Sequence, residues 1–268
     1  MGAFEEPRPR RGIPLRAVPP NAVTALALCF GLSGVRFAIG GEWERAVAAI
    51  IFAGVLDGID GRVARLLKAQ SRFGAELDSL SDVIAFGVSP AVVIYLWSLQ
   101  HMPQFGWTIA LAHAVCCALR LARFNAAIDS EEQPHKSAGF LTGIPAPTGA
   151  GLALLPIYLW LATGAELFRN PYLVAPWTGV VAALMISSVA TFSWSALKLR
   201  RGVRLGALAG IALLGAALIS SPWPTLTVVS ILYIGTVPFG VRAYAKVRRL
   251  RAANAARAAA SPDAATRP

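Results

Sequence analysis

Asp57-Gly58-Ile59-Asp60-Gly61-Arg62-Val63-Ala64-Arg65, resumed after eight residues by Gly74, Asp78 and Asp82, is the stretch from which the rest of the chain is read. It sets four aspartates and two arginines inside sequence that otherwise reads as membrane helix. A carboxylate at bilayer depth is costly, so an ionisable residue there marks a functional site. Four of them at regular spacing need cations to hold them together.

The surroundings make the membrane reading firm. The 268 residues are 56% hydrophobic and only 15% charged, with a mean hydropathy of +0.57. A soluble domain would carry about a quarter charged residues. The apolar residues come in long runs, and the short alternating segments of a transmembrane barrel are absent. This predicts an all-α, polytopic transmembrane bundle of about eight spans. They are placed at 20–39, 45–67, 75–100, 106–126, 147–165, 173–195, 204–221 and 225–245, each near the ~20 residues that a tilted helix needs.

The net charge of +11 has its explanation in topology. With a cytoplasmic N-terminus, all but three of the 25 basic residues fall on the cytoplasmic side; the exceptions are Arg36, Arg45 and Arg169. Such a bias is the positive-inside pattern, and it predicts both termini in the cytoplasm. No groove-reading motif accompanies the charge, so nucleic acid is not an expected partner. No cleavable signal peptide is read, and the first apolar run is expected to stay as the first helix. Residues 1–18 and 251–268 read as disordered tails, the first basic and rich in Pro and Arg, the second rich in Ala. Cys29, Cys116 and Cys117 lack metal spacing and read as buried small hydrophobes. His135 falls in a polar segment, 127–138, and reads as solvated. His113, within an apolar span, reads as a hydrogen-bonded interior residue.

Asp57 and Asp60 are three apart on the second helix, and Asp78 and Asp82 are four apart on the third, so each pair shares one helix face. The connection is short, which makes the helices antiparallel neighbours with all four acids near their cytoplasmic ends. The nearby arginines cannot balance four carboxylates. Oxygen-only ligation suits Mg²⁺ or Mn²⁺, with substrate phosphates completing the shell. Two such ions would clamp a diphosphate and stabilise an in-line displacement at phosphorus. Gly58, Gly61 and Ala64 leave a strip free of side chains that could admit a flat ligand. Arg65 is placed to meet phosphate oxygens, Gly74 to loosen the turn, and Glu76 to complement the helix dipole. Ion pairing between helices, such as Asp57 with Arg62, is the plainer alternative.

The run from Asp57 to Asp82 resembles the signature of the CDP-alcohol phosphatidyltransferase family, D-x2-D-G-x2-A-R-x8-G-x3-D-x3-D. Every fixed position is matched, by Asp57, Asp60, Gly61, Ala64, Arg65, Gly74, Asp78 and Asp82. Pro20-Asn21-Ala22-Val23-Thr24 looks like the family's opening of its first helix. The runs Phe73–Pro90, Arg120–Asn125, Phe140–Pro147 and Leu184–Ser188 resemble the branch that uses L-serine as acceptor. Ser81 departs mildly from the alanine more often expected there.

The resemblance implies a reaction and a division of labour. CDP-diacylglycerol plus L-serine would give phosphatidylserine plus CMP. Asp57, Asp60, Asp78 and Asp82 would bind metal, as a pair of ions, and Asp82 would be the general base. CDP-diacylglycerol would be met by Asp57, Gly58, Asp60, Gly61, Arg65, Gly74 and Asp78, with Asn21 and Thr24. Residues 19–200 would form the family's core of about six helices, and 201–250 two additional ones. The enzyme would lie in the cell (inner) membrane as a homodimer.

The acceptor site is read from Arg120, Arg123 and Asn125. The two arginines share a face and could hold the serine carboxylate; alternatively they anchor the helix at the headgroups. Another acceptor (glycerol 3-phosphate, inositol phosphate or choline) stays open, since Arg120, Arg123 and Lys136 do not exclude one. A cation transporter would place its acids near the bilayer midplane on broken helices, in two related halves. No second half repeats the cluster here.

Overall fold

A computed structural model describes residues 15–128, 140–187, 190–192 and 204–239. The two expected disordered tails lie largely outside these residues, as do His135 and Lys136.

A 3₁₀ turn, Leu15–Ala17, leads into α1 (Val18–Ile39), whose first turn contains Pro19 and Pro20. Proline suits that position because the first helical N–H groups have no partner within the helix. The buried face of α1 carries Ala27, Gly31, Gly34 and Ala38, a helical repeat of small residues. Small residues let helices approach closely in a membrane. A Cβ at Gly31 would lie 2.8 Å from Ala85 Cα, and one at Gly34 would lie 3.0 Å from Ala46 O. The chain reverses at Gly40-Gly41, where Gly41 has φ +74°, and returns antiparallel as α2 (Trp43–Leu66).

After a short turn, Ser71 caps α3 (Arg72–Asp82) by accepting from Gly74 N at 3.0 Å. A π-helical turn, Val83–Val88, follows directly and runs into α4 (Ser89–Trp97). Within it the Ser89 N–H reaches five residues back, to Ile84 O. Pro90 contributes to the break: it has no N–H, so Phe86 O loses its α-helical partner. His113, buried on α5 (Gly106–Ile128), donates from Nε2 to that carbonyl at 3.3 Å. The interior reading of His113 is borne out.

The same device recurs further on. Helices α6 (Ala146–Ala153) and α7 (Leu155–Thr163) meet at a 41° bend. Pro156 denies Leu152 O its α-helical partner, and Trp177 Nε1 on α8 (Pro171–Ile186) donates to it at 2.8 Å. A three-residue antiparallel ladder joins β1 (Phe140–Thr142) to β2 (Ala190–Phe192), pairing Leu141 with Thr191. This ladder is an exception to the all-α expectation. Helices α9 (Arg204–Ser220) and α10 (Pro222–Phe239) complete the described chain. Only α10 sends large residues, Trp223, Leu226 and Tyr233 among them, against the core.

Large apolar side chains point outward, as Leu26, Leu32, Phe52, Val55, Leu111 and Val115 do, while much of the interior is alanine and glycine. That distribution suits lipid as the solvent. Among the described residues the eight expected spans correspond to eight helical segments, taking α3 with α4 and α6 with α7. Four of these are long and apolar enough to cross a membrane, or five if the bent pair is one span. The protein is a multi-pass membrane protein. Helix α2 falls short of an apolar span because it carries Glu44, Arg45, Asp57, Asp60, Arg62 and Arg65. Helices α8 and α9 are apolar but shorter, at 16 and 17 residues. The cysteines are free thiols, and only Cys117 is fully buried; Cys29 is exposed on the outer surface of α1, which corrects the expectation for it.

Candidate active site

Helices α2 and α3 bring the four aspartates together. One carboxylate oxygen from each of Asp57, Asp60 and Asp78 lies within 4.8 Å of the others. Asp60 is 5% exposed, and Asp57 and Asp78 are half-buried. Asp82, one turn beyond Asp78, makes hydrogen-bond contact with Asp57. At such separations two carboxylates repel by roughly 3 kcal/mol per pair at an effective dielectric of ~20. Among the described residues none of the four makes an ion pair, and Arg120 reaches Asp82 only electrostatically. Among the described residues the salt bridge is Arg45 with Glu42, far from the cluster, and Arg62 and Arg65 are exposed. The ion-pair reading of Asp57 with Arg62 is therefore not what the structure contains.

The donor set fits a hard divalent cation. It is oxygen-only and multiply anionic. It also includes Asp78 Oδ1, which is buried and has no hydrogen-bond partner. An orphaned buried carboxylate oxygen is costly unless something outside the protein's own donors meets it.

Beside the trio opens a cleft of about 280 Å³ between α1, α2 and the start of α3. Asn21, Thr24, Asp60, Gly61, Arg65, Gly74 and Asp78 line it, together with Ala64, Ser71 and Ala75. Most of the residues expected to meet CDP-diacylglycerol are thus gathered on one cavity. Gly58 is not among them: it is exposed, and a Cβ there would meet nothing within 4 Å. Gly61 leaves real room, since the nearest atom to a Cβ would be Arg65 Nη1 at 3.9 Å. Gly74 has a different reason from the one expected. It lies inside α3, and a Cβ there would come within 2.9 Å of Asn21 Oδ1. Gly74 thus serves the close approach of α1 and not a loosened turn: an added Cβ would displace the end of the Asn21 side chain. Glu76 is exposed and beyond the first turn of α3, so it does not complement that helix end.

The three acceptor candidates separate. Arg120 is half-buried, within electrostatic reach of Asp82, and its Nε has no hydrogen-bond partner. Arg123 is engaged elsewhere: it donates to Ile186 O at 2.9 Å and Ser187 O at 3.2 Å, capping the end of α8. Its charge suits a helix C-terminus. Asn125 donates from Nδ2 to Ser79 Oγ at 2.9 Å and braces α3. The two arginines do not form one clamp.

Two residues of the site escaped the sequence reading in their actual roles. Thr24 donates to Asp60 Oδ2 at 2.6 Å, and Ser81 donates to Thr24 O at 3.2 Å. The departure from alanine at position 81 was the one visible signal.

Comparison with known proteins agrees with this geometry. The family model described as CDP-alcohol phosphatidyltransferase matches residues 17–194, and a second, CDP-alcohol phosphatidyltransferase 2, matches residues 203–238. The chain belongs to the CDP-alcohol phosphatidyltransferase family. It is 38% identical over 237 residues to the CDP-diacylglycerol–serine O-phosphatidyltransferase of Mycobacterium tuberculosis, covering 88% of this chain and 82% of that one. The protein of the same name from Mycobacterium leprae is 37% identical over 235 residues, covering 88% and 78%. The Bacillus subtilis protein of that name is 36% identical over 170 residues, covering 63% and 87%.

Proposed function

We propose that the chain is an integral membrane phosphatidyltransferase that makes phosphatidylserine and CMP from CDP-diacylglycerol and L-serine. The observation that carries this is the carboxylate trio standing at one end of a cleft lined by the signature residues. In the reaction the serine hydroxyl oxygen bonds to the phosphorus that carries diacylglycerol. The bond from that phosphorus to the CMP oxygen breaks, and CMP leaves with the electron pair.

Asp82 takes the proton from the serine hydroxyl; its contact with Asp57 orients it. A general base must reach the proton it removes, and Asp82 is the acid nearest Arg120, the proposed ligand of the serine carboxylate. Asp57, Asp60 and Asp78, with Asp82, would hold Mg²⁺ or Mn²⁺ as a pair of ions, whose charge would neutralise the diphosphate and the departing CMP. Arg65 meets phosphate from the rim of the cleft, while Gly61 leaves space for the nucleotide. Asn21 and Gly74 set the cleft's far wall.

One further observation favours serine over a phosphorylated acceptor. With Arg123 engaged by α8, Arg120 is, among the described residues, a single cation beside Asp82, which matches one carboxylate better than a phosphate dianion. We further propose that the chain crosses the cell (inner) membrane about eight times with both termini and the site on the cytoplasmic side. Residues 19–200 carry the chemistry, 201–250 add two helices, and two copies associate as a homodimer.

The test is product identity. Purified protein is given CDP-diacylglycerol and, separately, L-serine, glycerol 3-phosphate, inositol phosphate and choline. Phosphatidylserine formed from serine alone supports the reading, and product from another acceptor with none from serine overturns the acceptor assignment.

A further inference from the structure

We propose that Thr24 and Ser81 are positioning residues, a two-bond relay through α1 that fixes Asp60 of α2 against Asp78 and Asp82 of α3. The inference rests on the reading of Asp60 as a metal ligand. It adds residues that ligate nothing themselves.

The geometry is specific. Thr24 and Ser81 are both buried, at 5% and 2% exposure. The Thr24 hydroxyl has one proton and two acceptors in reach, Asp60 Oδ2 at 2.6 Å and its own helix's Pro20 O at 3.1 Å. The shorter bond is to a carboxylate, and charge-assisted bonds of this kind are the stronger ones. It occupies one oxygen of Asp60. Ser81 then ties the backbone of Thr24 to α3, one residue before Asp82. Helix α1 thereby sits behind both acid pairs as a strut.

The small-residue face of α1 makes the strut possible. At Gly31 the helix approaches Ala85 so closely that a Cβ would lie 2.8 Å from its Cα. That contact brings the start of the π-helical turn, and Ser81 just before it, against α1. Partners that hydrogen-bond a ligand carboxylate fix its orientation, and their loss typically lowers metal affinity by about 10–100-fold.

The experiment is Mn²⁺ binding to the detergent-solubilised full chain, read as free Mn²⁺ by electron paramagnetic resonance, with no substrate present. Thr24→Val keeps the shape and removes the donor, and should weaken Mn²⁺ binding about tenfold or more. Thr24→Ser should restore most of it. Ser81→Ala should shift affinity in the same direction by a smaller factor. Thr163→Val removes a hydroxyl that bonds only at the end of α7, donating to Leu159 O and accepting from Ala165 N, and should change nothing.

Wild-type affinity in Thr24→Val, or failure of Thr24→Ser to recover it, overturns the relay while leaving the carboxylate site standing. Absence of Mn²⁺ binding by the wild-type chain overturns both. A loss shared equally by Thr163→Val would reduce Thr24 to general packing and also defeat the proposal.

Discussion

Asp57 on α2 and Asp82 on α3 meet side chain to side chain, although the sequence turns back through a whole loop between them. Two carboxylates in hydrogen-bond contact must share a proton or a cation. The contact puts the last acid of the signature beside the first and closes the cluster.

Asp82 and Asp57 should therefore fail differently. Asp82→Asn removes the proposed base and should cut turnover by at least about 10²–10⁴-fold, the usual contribution of such a group. Binding of CDP-diacylglycerol should survive. Asp57→Asn should instead weaken Mn²⁺ and nucleotide binding. Steady-state CMP release alongside equilibrium binding of CMP separates the two; matching defects in both variants would contradict the division of roles.

Arg120 and Arg123 offer a sharper contrast, since the sequence treats them alike. Arg120→Ala should raise the KM for serine about ten- to a hundredfold, the cost of losing a hydrogen bond to a charged group. The KM for CDP-diacylglycerol should move little. Arg123→Ala should lower thermal stability by about 1 kcal/mol through the uncapped end of α8, with no selective effect on serine. Kinetics with each substrate varied in turn, together with a thermal melt, decides the point.

Gly74→Ala tests the cleft. A Cβ would meet Asn21 Oδ1 at 2.9 Å and push the end of that side chain into the cleft. The expected outcome is a KM for CDP-diacylglycerol raised by about tenfold, with the metal affinity little changed. An unaltered KM would show that the Asn21 wall does not bound the nucleotide site.

Trp177→Phe probes the bend between α6 and α7. It removes the donor to Leu152 O while keeping an aromatic ring. Hydrogen bonds between membrane helices are worth up to about 1.7 kcal/mol, so the thermal midpoint should fall modestly with activity per folded molecule unchanged.

Much of this was legible because the chemistry is local. Asp57, Asp60, Asp78 and Asp82 sit on two successive helices at fixed helical spacing, so their convergence follows from periodicity and a short turn. Runs of apolar residues located the helices themselves. The rest depended on partners distant in sequence. Nothing near Thr24 announces Asp60 as its acceptor, and nothing near Arg123 announces the end of α8. Gly74 was singled out for the wrong reason, because its neighbour Asn21 belongs to another helix. Pro90 and Pro156 are visible breakers, but that His113 and Trp177 answer the carbonyls they free is a matter of packing. The β1–β2 ladder joins two three-residue segments separated by α6, α7 and α8, a pairing too short to leave a pattern.

The central claim is that the carboxylate cluster works as a metal-dependent phosphatidyl-transfer site. Its most direct test is serine-dependent CMP release by purified protein before and after EDTA, with Mn²⁺ added back. The expected result is release that EDTA abolishes and Mn²⁺ restores in the wild type but not in Asp82→Asn. Release that persists in EDTA, or that Asp82→Asn sustains at the wild-type rate, would contradict it.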